Sequence, residues 1–221
     1  MASQSPRFPK SPLGIVAQAW KFIIPLAILS ALLAALWTPY ALAATVPLIL
    51  FCLNFFRDPD RELPADPAIL CSPGDGKVVS VLEVPAAEMP GGTALRVAVF
   101  LNVFNVHVQR TSCAGRVAKI VHKPGLFLNA LNEKCSEDNE NLTIWLDAAG
   151  KTVGIRQITG AIARRIVCFV KEGDDLARGE RYGWIQFGSR VELFLPPGSE
   201  VLVKPGQMVV GGETPMARLA G

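Results

Sequence analysis

Residues Tyr182-Gly-Trp-Ile-Gln-Phe-Gly188-Ser189-Arg-Val-Glu-Leu-Phe-Leu195 make two short apolar runs joined at a Gly-Ser pair. Each run is rich in aromatic and branched side chains, and the second stops at Pro196-Pro197-Gly198. Such runs predict two β-strands, with the Gly-Ser pair at a tight bend between them. The same texture recurs outward on both sides. Lys77–Val84, Leu95–Leu101, Gly115–His122, Leu142–Leu146, Thr152–Thr159, Arg164–Val170, Glu200–Val203 and Met208–Val210 are all short β-prone runs, bounded by Gly, Pro, Asp or Asn. This spacing predicts a mainly β fold, a barrel or sandwich. The turns Pro197-Gly198, Pro205-Gly206 and Gly211-Gly212 give the C-terminal half the punctuation of a lipoyl-like sandwich, an analogy of pattern alone.

Two stretches interrupt the β texture. After the breaker Pro124-Gly125, Leu126–Asn132 is the helix candidate of this region, predicted to be short and buried. The other reading of Pro124–Leu131 (PGLFLNAL) is an apolar mouth to a pocket, dipping between lipids. Cys135–Asn141 (CSEDNEN) is strongly polar and predicts an exposed loop.

The first 57 residues are of another kind. They carry Arg7, Lys10, Lys21 and Arg57 and no acid, whereas the 19 acids from Asp58 onward face 18 bases. The net charge of +3 thus belongs to the N-terminal segment, and the folded part has no basic excess of the sort nucleic acid selects. Phe22–Trp37 and Tyr40–Phe56 are apolar runs at the short end of what spans a bilayer, with Trp20, Trp37 and Tyr40 at their ends. Basic residues flank the outer ends and none lies at Thr38-Pro39, which predicts an α-helical hairpin with both ends on the cytoplasmic side. Pro25 and Pro47 shorten its reach, so a hairpin within one leaflet stays open beside two full spans. A cleaved signal ending near Ala41-Leu-Ala-Ala44 is the competing reading, but the second run continues past it to Phe56. The division expected is a membrane-anchoring hairpin at 1–57 and a β-domain at 58–221. The five cysteines are odd in number and without CxxC spacing, which argues against a disulfide framework or a metal site.

Three constellations carry candidate chemistry. Asp75 sits between glycines in Cys71-Ser-Pro-Gly-Asp-Gly-Lys77, where an ordinary Asp-Gly turn is the plain alternative. In Asn105-Val-His-Val-Gln-Arg110, alternation along a strand puts His107 on one face with Asn105 and Gln109. A histidine on a solvated face is the competing reading. His107 and His122 are the two histidines, so a general base working near neutral pH in the usual way must be one of them. His122, at a Val-His-Lys-Pro strand exit, is read as structural. The third constellation is the Gly188-Ser189 bend.

Taken together, FFRDPDR (Phe55–Arg61), SPGDGKV (Ser72–Val78), NVHVQR (Asn105–Arg110) and GWIQFGSRVELFLP (Gly183–Pro196) resemble, in order, the phosphatidylserine decarboxylase family in its short bacterial and archaeal form. The resemblance implies a proenzyme that cuts itself at Gly188-Ser189 into a β chain, 1–188, and an α chain, 189–221, which stay together as a heterodimer, with further oligomerisation open. It implies that Ser189 becomes a covalent pyruvoyl cofactor, forming a Schiff base with phosphatidylserine and releasing carbon dioxide and phosphatidylethanolamine. His107 is then the base that activates Ser189, Asp75 orients His107, no metal is required, and the cytoplasmic face of the bacterial inner membrane is the implied location. Longer members carry HxxH where Phe104 stands here, and Leu-Gly-Ser-Thr in place of Phe-Gly-Ser-Arg. Roles of that first histidine therefore do not carry over. A pyruvoyl enzyme for a soluble amino acid and a non-enzymatic membrane-tethered β-domain are the other readings.

Overall fold

The structure, a computed structural model, describes residues 14–36, 38, 40–161, 165–185 and 189–219. The chain divides into two compact units, Met1–Asp60 and Arg61–Gly221.

In the first unit, helices α1 (Trp20–Leu36) and α2 (Ala41–Phe55) pack on each other. Ser30 Oγ and Thr45 Oγ1 share a hydrogen bond of 2.6 Å across the pair, and the Phe22 ring stacks on Phe56 at 5.7 Å. Pro25 and Pro47 lie inside the helices. Large apolar side chains point outward all along them, among them Ile24, Ile28, Leu32 and Leu36 in α1 and Leu42, Leu48 and Leu50 in α2. The helical stretch Ala17–Leu36 is long and apolar enough to cross a membrane.

The second unit is mainly β. Its strands are β1 (Ile69–Cys71), β2 (Gly76–Pro85), β3 (Thr93–Leu101), β4 (Val108–Arg110), β5 (Gly115–Lys123), β6 (Asn141–Ala148) and β7 (Lys151–Ile158). There follow β8 (Ile166–Cys168), β9 (Asp175–Leu176), β10 (Arg181–Ile185), β11 (Ser189–Leu195), β12 (Glu200–Val201), β13 (Met208–Val209) and β14 (Pro215–Arg218). A curled eight-stranded sheet runs in the order β13-β2-β3-β11-β7-β6-β5-β9, and two three-stranded sheets, β1-β14-β12 and β4-β10-β8, accompany it.

Alternation sorts the long strands into two faces. Val97, Val99, Leu101, Val153, Ile155, Val191, Leu193 and Leu195 point into the main core. The neighbours in sequence, Arg96, Arg156, Arg190, Glu192 and Phe194, belong to the opposite face. That face is also covered: every residue of β11 is buried. The cover includes Cys135 and Ser136, in the one-turn helix α3 (Cys135–Asp138), so CSEDNEN is not the exposed loop its composition predicts. Ser136 donates to Glu192 at 2.6 Å, and Asn139 is fully buried. Polar residues here serve as the roof of a charged layer, which composition cannot distinguish from solvation. Nor is Leu126–Asn132 a buried helix; it is an irregular segment with Leu126 and Leu131 exposed.

All five cysteines are free thiols, and Cys71, Cys113 and Cys135 are buried. Burial pushes the Cys71 thiol up to about 11 and Cys113 to about 12, so both are inert core residues near neutral pH.

Candidate active site

Strand register gives the positions of the candidate residues along the sheet. Lys123, Asn141, Ile158, Arg190, Phe100 and Lys77 form one continuous row across β5, β6, β7, β11, β3 and β2. Ser189 is one step beyond that row, paired with Leu101, and it opens β11 on the core face. Its hydroxyl is fully buried and has no hydrogen-bond partner among the described residues. A buried hydroxyl without a partner is costly, and such a group calls for an explanation in use. Gly188, Phe187 and Gln186 lie outside the described residues, so the bend itself is not described.

His107 reaches the same end of the sheet by another route. The strand of its segment begins only at Val108, and β4 pairs with β10, Val108 opposite Trp184. The Ile185 amide then donates to the His107 carbonyl at 3.3 Å, four residues before Ser189. His107 is 1% exposed, with Val106, Val108 and Gln109 buried as well, so neither side of this segment is solvated. Its ring Nδ1 lies 2.9 Å from the Asn105 carbonyl oxygen. A carbonyl can only accept, so Nδ1 carries the proton, and in the neutral ring the lone pair belongs to Nε2. That is the tautomer a general base needs.

Asp75 ends the turn that enters β2. A Cβ at Gly76 would collide with the Phe100 carbonyl oxygen, so the close approach of this turn to β3 requires glycine. The Arg110 amide donates to the Pro73 carbonyl at 2.9 Å and ties the turn to the strand that follows His107. The Asp75 carboxylate receives Arg61 on both oxygens, at 2.9 and 3.0 Å, and the Gly211 amide at 2.8 Å. Three segments distant in sequence therefore converge, but Asp75 makes no hydrogen bond to His107; the Asn105 carbonyl holds the ring.

A family model described as phosphatidylserine decarboxylase matches residues 48–217, more than three-quarters of the chain. The chain belongs to the phosphatidylserine decarboxylase family. It is accordingly a phosphatidylserine decarboxylase enzyme, and two of the family's motifs are physically joined in it, since Arg61 of FFRDPDR grips Asp75 of SPGDGKV. Phe104, standing where longer members of the family have the first histidine of HxxH, is 65% exposed. His122 is exposed and pairs with Glu140 at 3.0 Å, a surface contact away from the core.

Gln157 escaped the sequence reading. It lies on the core face of β7 beside Val191, and its Nε2 donates to Gln109 Oε1 at 2.9 Å, leaving Gln109 Nε2 and Gln157 Oε1 buried without partners among the described residues. The signal was available: in Val153-Gly-Ile-Arg-Gln157 the alternation that places Val153 and Ile155 in the core also places a glutamine there. A cavity of about 470 Å³ lined by Leu70, Cys113, Ala148 and Lys151 lies at the opposite end of the sheet, beside the hairpin where Ala148 pairs with Lys151.

Proposed function

We propose that this family member matures by breaking its own chain between Gly188 and Ser189, and then decarboxylates phosphatidylserine to phosphatidylethanolamine. The observation that carries the reading is the buried, unpartnered Ser189 hydroxyl at the head of β11, with His107 tied four residues upstream of it. Neutral His107, protonated at Nδ1, takes the Ser189 proton on Nε2. The Ser189 oxygen attacks the Gly188 carbonyl, the peptide C–N bond breaks, and an ester and a free amine result. Loss of the Ser189 Cα proton expels the Gly188 carboxylate and leaves a dehydroalanine; one water enters and ammonia departs, giving a pyruvoyl group at position 189. Such a group supplies an electron sink for an amine-bearing carboxylate losing carbon dioxide. Burial of Ser189 and of the Gln109–Gln157 pair keeps bulk water from the reacting position. Asp75 fixes the turn beneath the site through Arg61 and Gly211, and so helps to position His107.

Strand β11 is hydrogen-bonded to β3 on one side and β7 on the other, which supports an α chain that stays within the sheet after cleavage. Intact-mass measurement of purified protein should find chains of residues 1–188 and 189–221, the second blocked to Edman degradation. Only full-length chain in an active preparation would overturn the proposal. His107→Ala should remain uncut with its fold intact, Asp75→Asn should be cut severely slowly, and His122→Ala should be cut normally.

The hairpin unit we assign to the membrane, with the β-domain on the cytoplasmic side of a bacterial inner membrane. Outward apolar side chains along α1 and α2 support this. Apolar burial is insensitive to salt, so the 1–188 chain should stay in the membrane fraction through a 1 M salt wash, where the Debye length is about 3 Å. Full release by salt would reduce the attachment to a peripheral one.

A further inference from the structure

Four of the large apolar residues exposed on the β unit, Phe104, Leu126, Phe127 and Leu131, stand 38–65% exposed. Register places Phe104, Leu126 and Phe127 beyond one end of the sheet. The row that ends at Arg190 in β11 ends at Lys123 in β5, so the step beyond it contains Ser189, Leu101 and, at the outer strand, Pro124. Leu126 and Phe127 follow directly from Pro124, and Phe104 follows from Leu101. Leu126 and Phe127, next to β5, and Phe104, next to β3, therefore lie beyond the same end of the sheet as Ser189, on either side of β11.

Hydrogen bonds brace this exposure. Leu126 donates from its amide to the Asp138 carbonyl at 2.7 Å, and its own carbonyl accepts from Glu140 at 3.0 Å. Asn139, fully buried, holds both backbone groups of Leu128 and also donates to the Thr159 carbonyl at 2.8 Å. Thr159 immediately follows Ile158, the register partner of Arg190, so the segment is pinned to the site end of the sheet. Phe104 stands on a turn braced by Asn102, whose Oδ1 accepts the Phe104 amide at 2.8 Å. Such bracing holds large apolar groups in water at a cost, and an exposed patch of this kind marks a surface that is covered in use.

We propose that this rim enters the bilayer surface, so that a phosphatidylserine headgroup reaches residue 189 without its acyl chains leaving the lipid. This rests on the decarboxylase reading and adds a second, catalytic membrane contact, separate from the N-terminal hairpin. The occupant is lipid because the substrate of the family is a phospholipid and the exposed apolar residues lie at the end of the sheet that carries Ser189. Charge does not drive the contact: Lys123 and Lys134 border the segment, but so do Glu137 and Asp138. The contact is therefore apolar and independent of anionic lipid.

The test uses the full processed chain, as wild type and as Leu126→Glu/Leu131→Glu, with two substrates. One is long-chain phosphatidylserine in phosphatidylcholine vesicles; the other is dibutyroyl phosphatidylserine dissolved as monomers. Two carboxylates in place of two leucines should lower carbon dioxide release from vesicles at least about tenfold, because each opposes apolar transfer. Release from monomers should stay within about twofold, since neither residue touches the reacting group. Chain cleavage should proceed as in wild type, and Leu126→Met/Leu131→Met should restore the vesicle rate. Equal loss on both substrates, or loss on neither, overturns the proposal. A wild-type chain inert on both lipids overturns the decarboxylase reading, and the rim with it.

Discussion

Ser189→Ala is expected to leave the chain in one piece and reduce decarboxylation to the uncatalysed rate, a loss of at least about 10⁶-fold. Alanine has no oxygen to attack the preceding carbonyl and no group to expel from Cβ, so neither cleavage nor cofactor formation can start. The fold, by contrast, should not suffer. The Ser189 hydroxyl is buried and has no partner among the described residues, and removing such a group relieves a desolvation cost of about 1–3 kcal/mol. On the proposed maturation wild type no longer contains serine there, so the proper comparison is with uncut His107→Ala. Against that reference, Ser189→Ala should melt at the same temperature or higher. Ser189→Cys, which retains a nucleophile and a leaving group with the same connectivity, should cleave slowly. A cleaved, active Ser189→Ala chain would return the Gly-Ser pair to an ordinary bend.

The strands were legible because the signal is local. Alternation of small and branched residues between Gly, Pro and Asp turns places β2, β3, β5, β6, β7 and β11 within about two residues of their observed bounds. What alternation cannot say is what lies over the second face of a sheet. Val191, Leu193 and Leu195 announce a core, but Arg190 and Glu192 between them would ordinarily be assigned to water, and both are fully buried. Their partners Glu133, Ser136 and Arg96 come from elsewhere in the chain, and sequence spacing contains no trace of that pairing. The same limit applies at the site. Ser189 and His107 stand out by residue type, whereas the partnership of Arg61 with Asp75, and of Gln109 with Gln157, arises only when strands distant in sequence are laid side by side. His107 itself was misplaced for a local reason: the Asn102–Asn105 turn ends the extended pattern just before it, so face alternation did not apply.

The charged layer leads to the second large effect. Glu192 lies at 0% exposure among three arginines, with Arg190 Nε at 2.9 Å, Arg96 at 3.5 Å and Arg156 at 3.7 Å. The Arg190 contact is a close charge pair whose angle falls short of a hydrogen bond; the hydrogen bond to Glu192 comes from Ser136. Burial works against the Arg190 charge most, yet Glu192 and then Glu133 outweigh it and hold its pKa above the ordinary value. For Arg156, burial prevails and the pKa is lowered, with Glu192 opposing. Glu192→Gln removes the one acid that lies within 4 Å of all three bases. Guanidinium groups cannot shed a proton at accessible pH, so the arginines that remain have no titration by which to relieve their repulsion. The expected cost is about 3–5 kcal/mol, as for removal of one partner from a buried ion pair. For a chain of this size that corresponds to a melting temperature lower by about 6–20 °C. Arg190→Met should cost less, because Glu192 keeps Arg96 and Arg156 as partners. The double variant should cost less than the sum of the two, the sign of direct coupling. Thermal melting of the four proteins in detergent at low and high salt measures all of this, and the differences should persist at 1 M salt because the pair is shielded from ions. A Glu192→Gln melting temperature within about 2 °C of wild type would mean that the layer is neutral bulk.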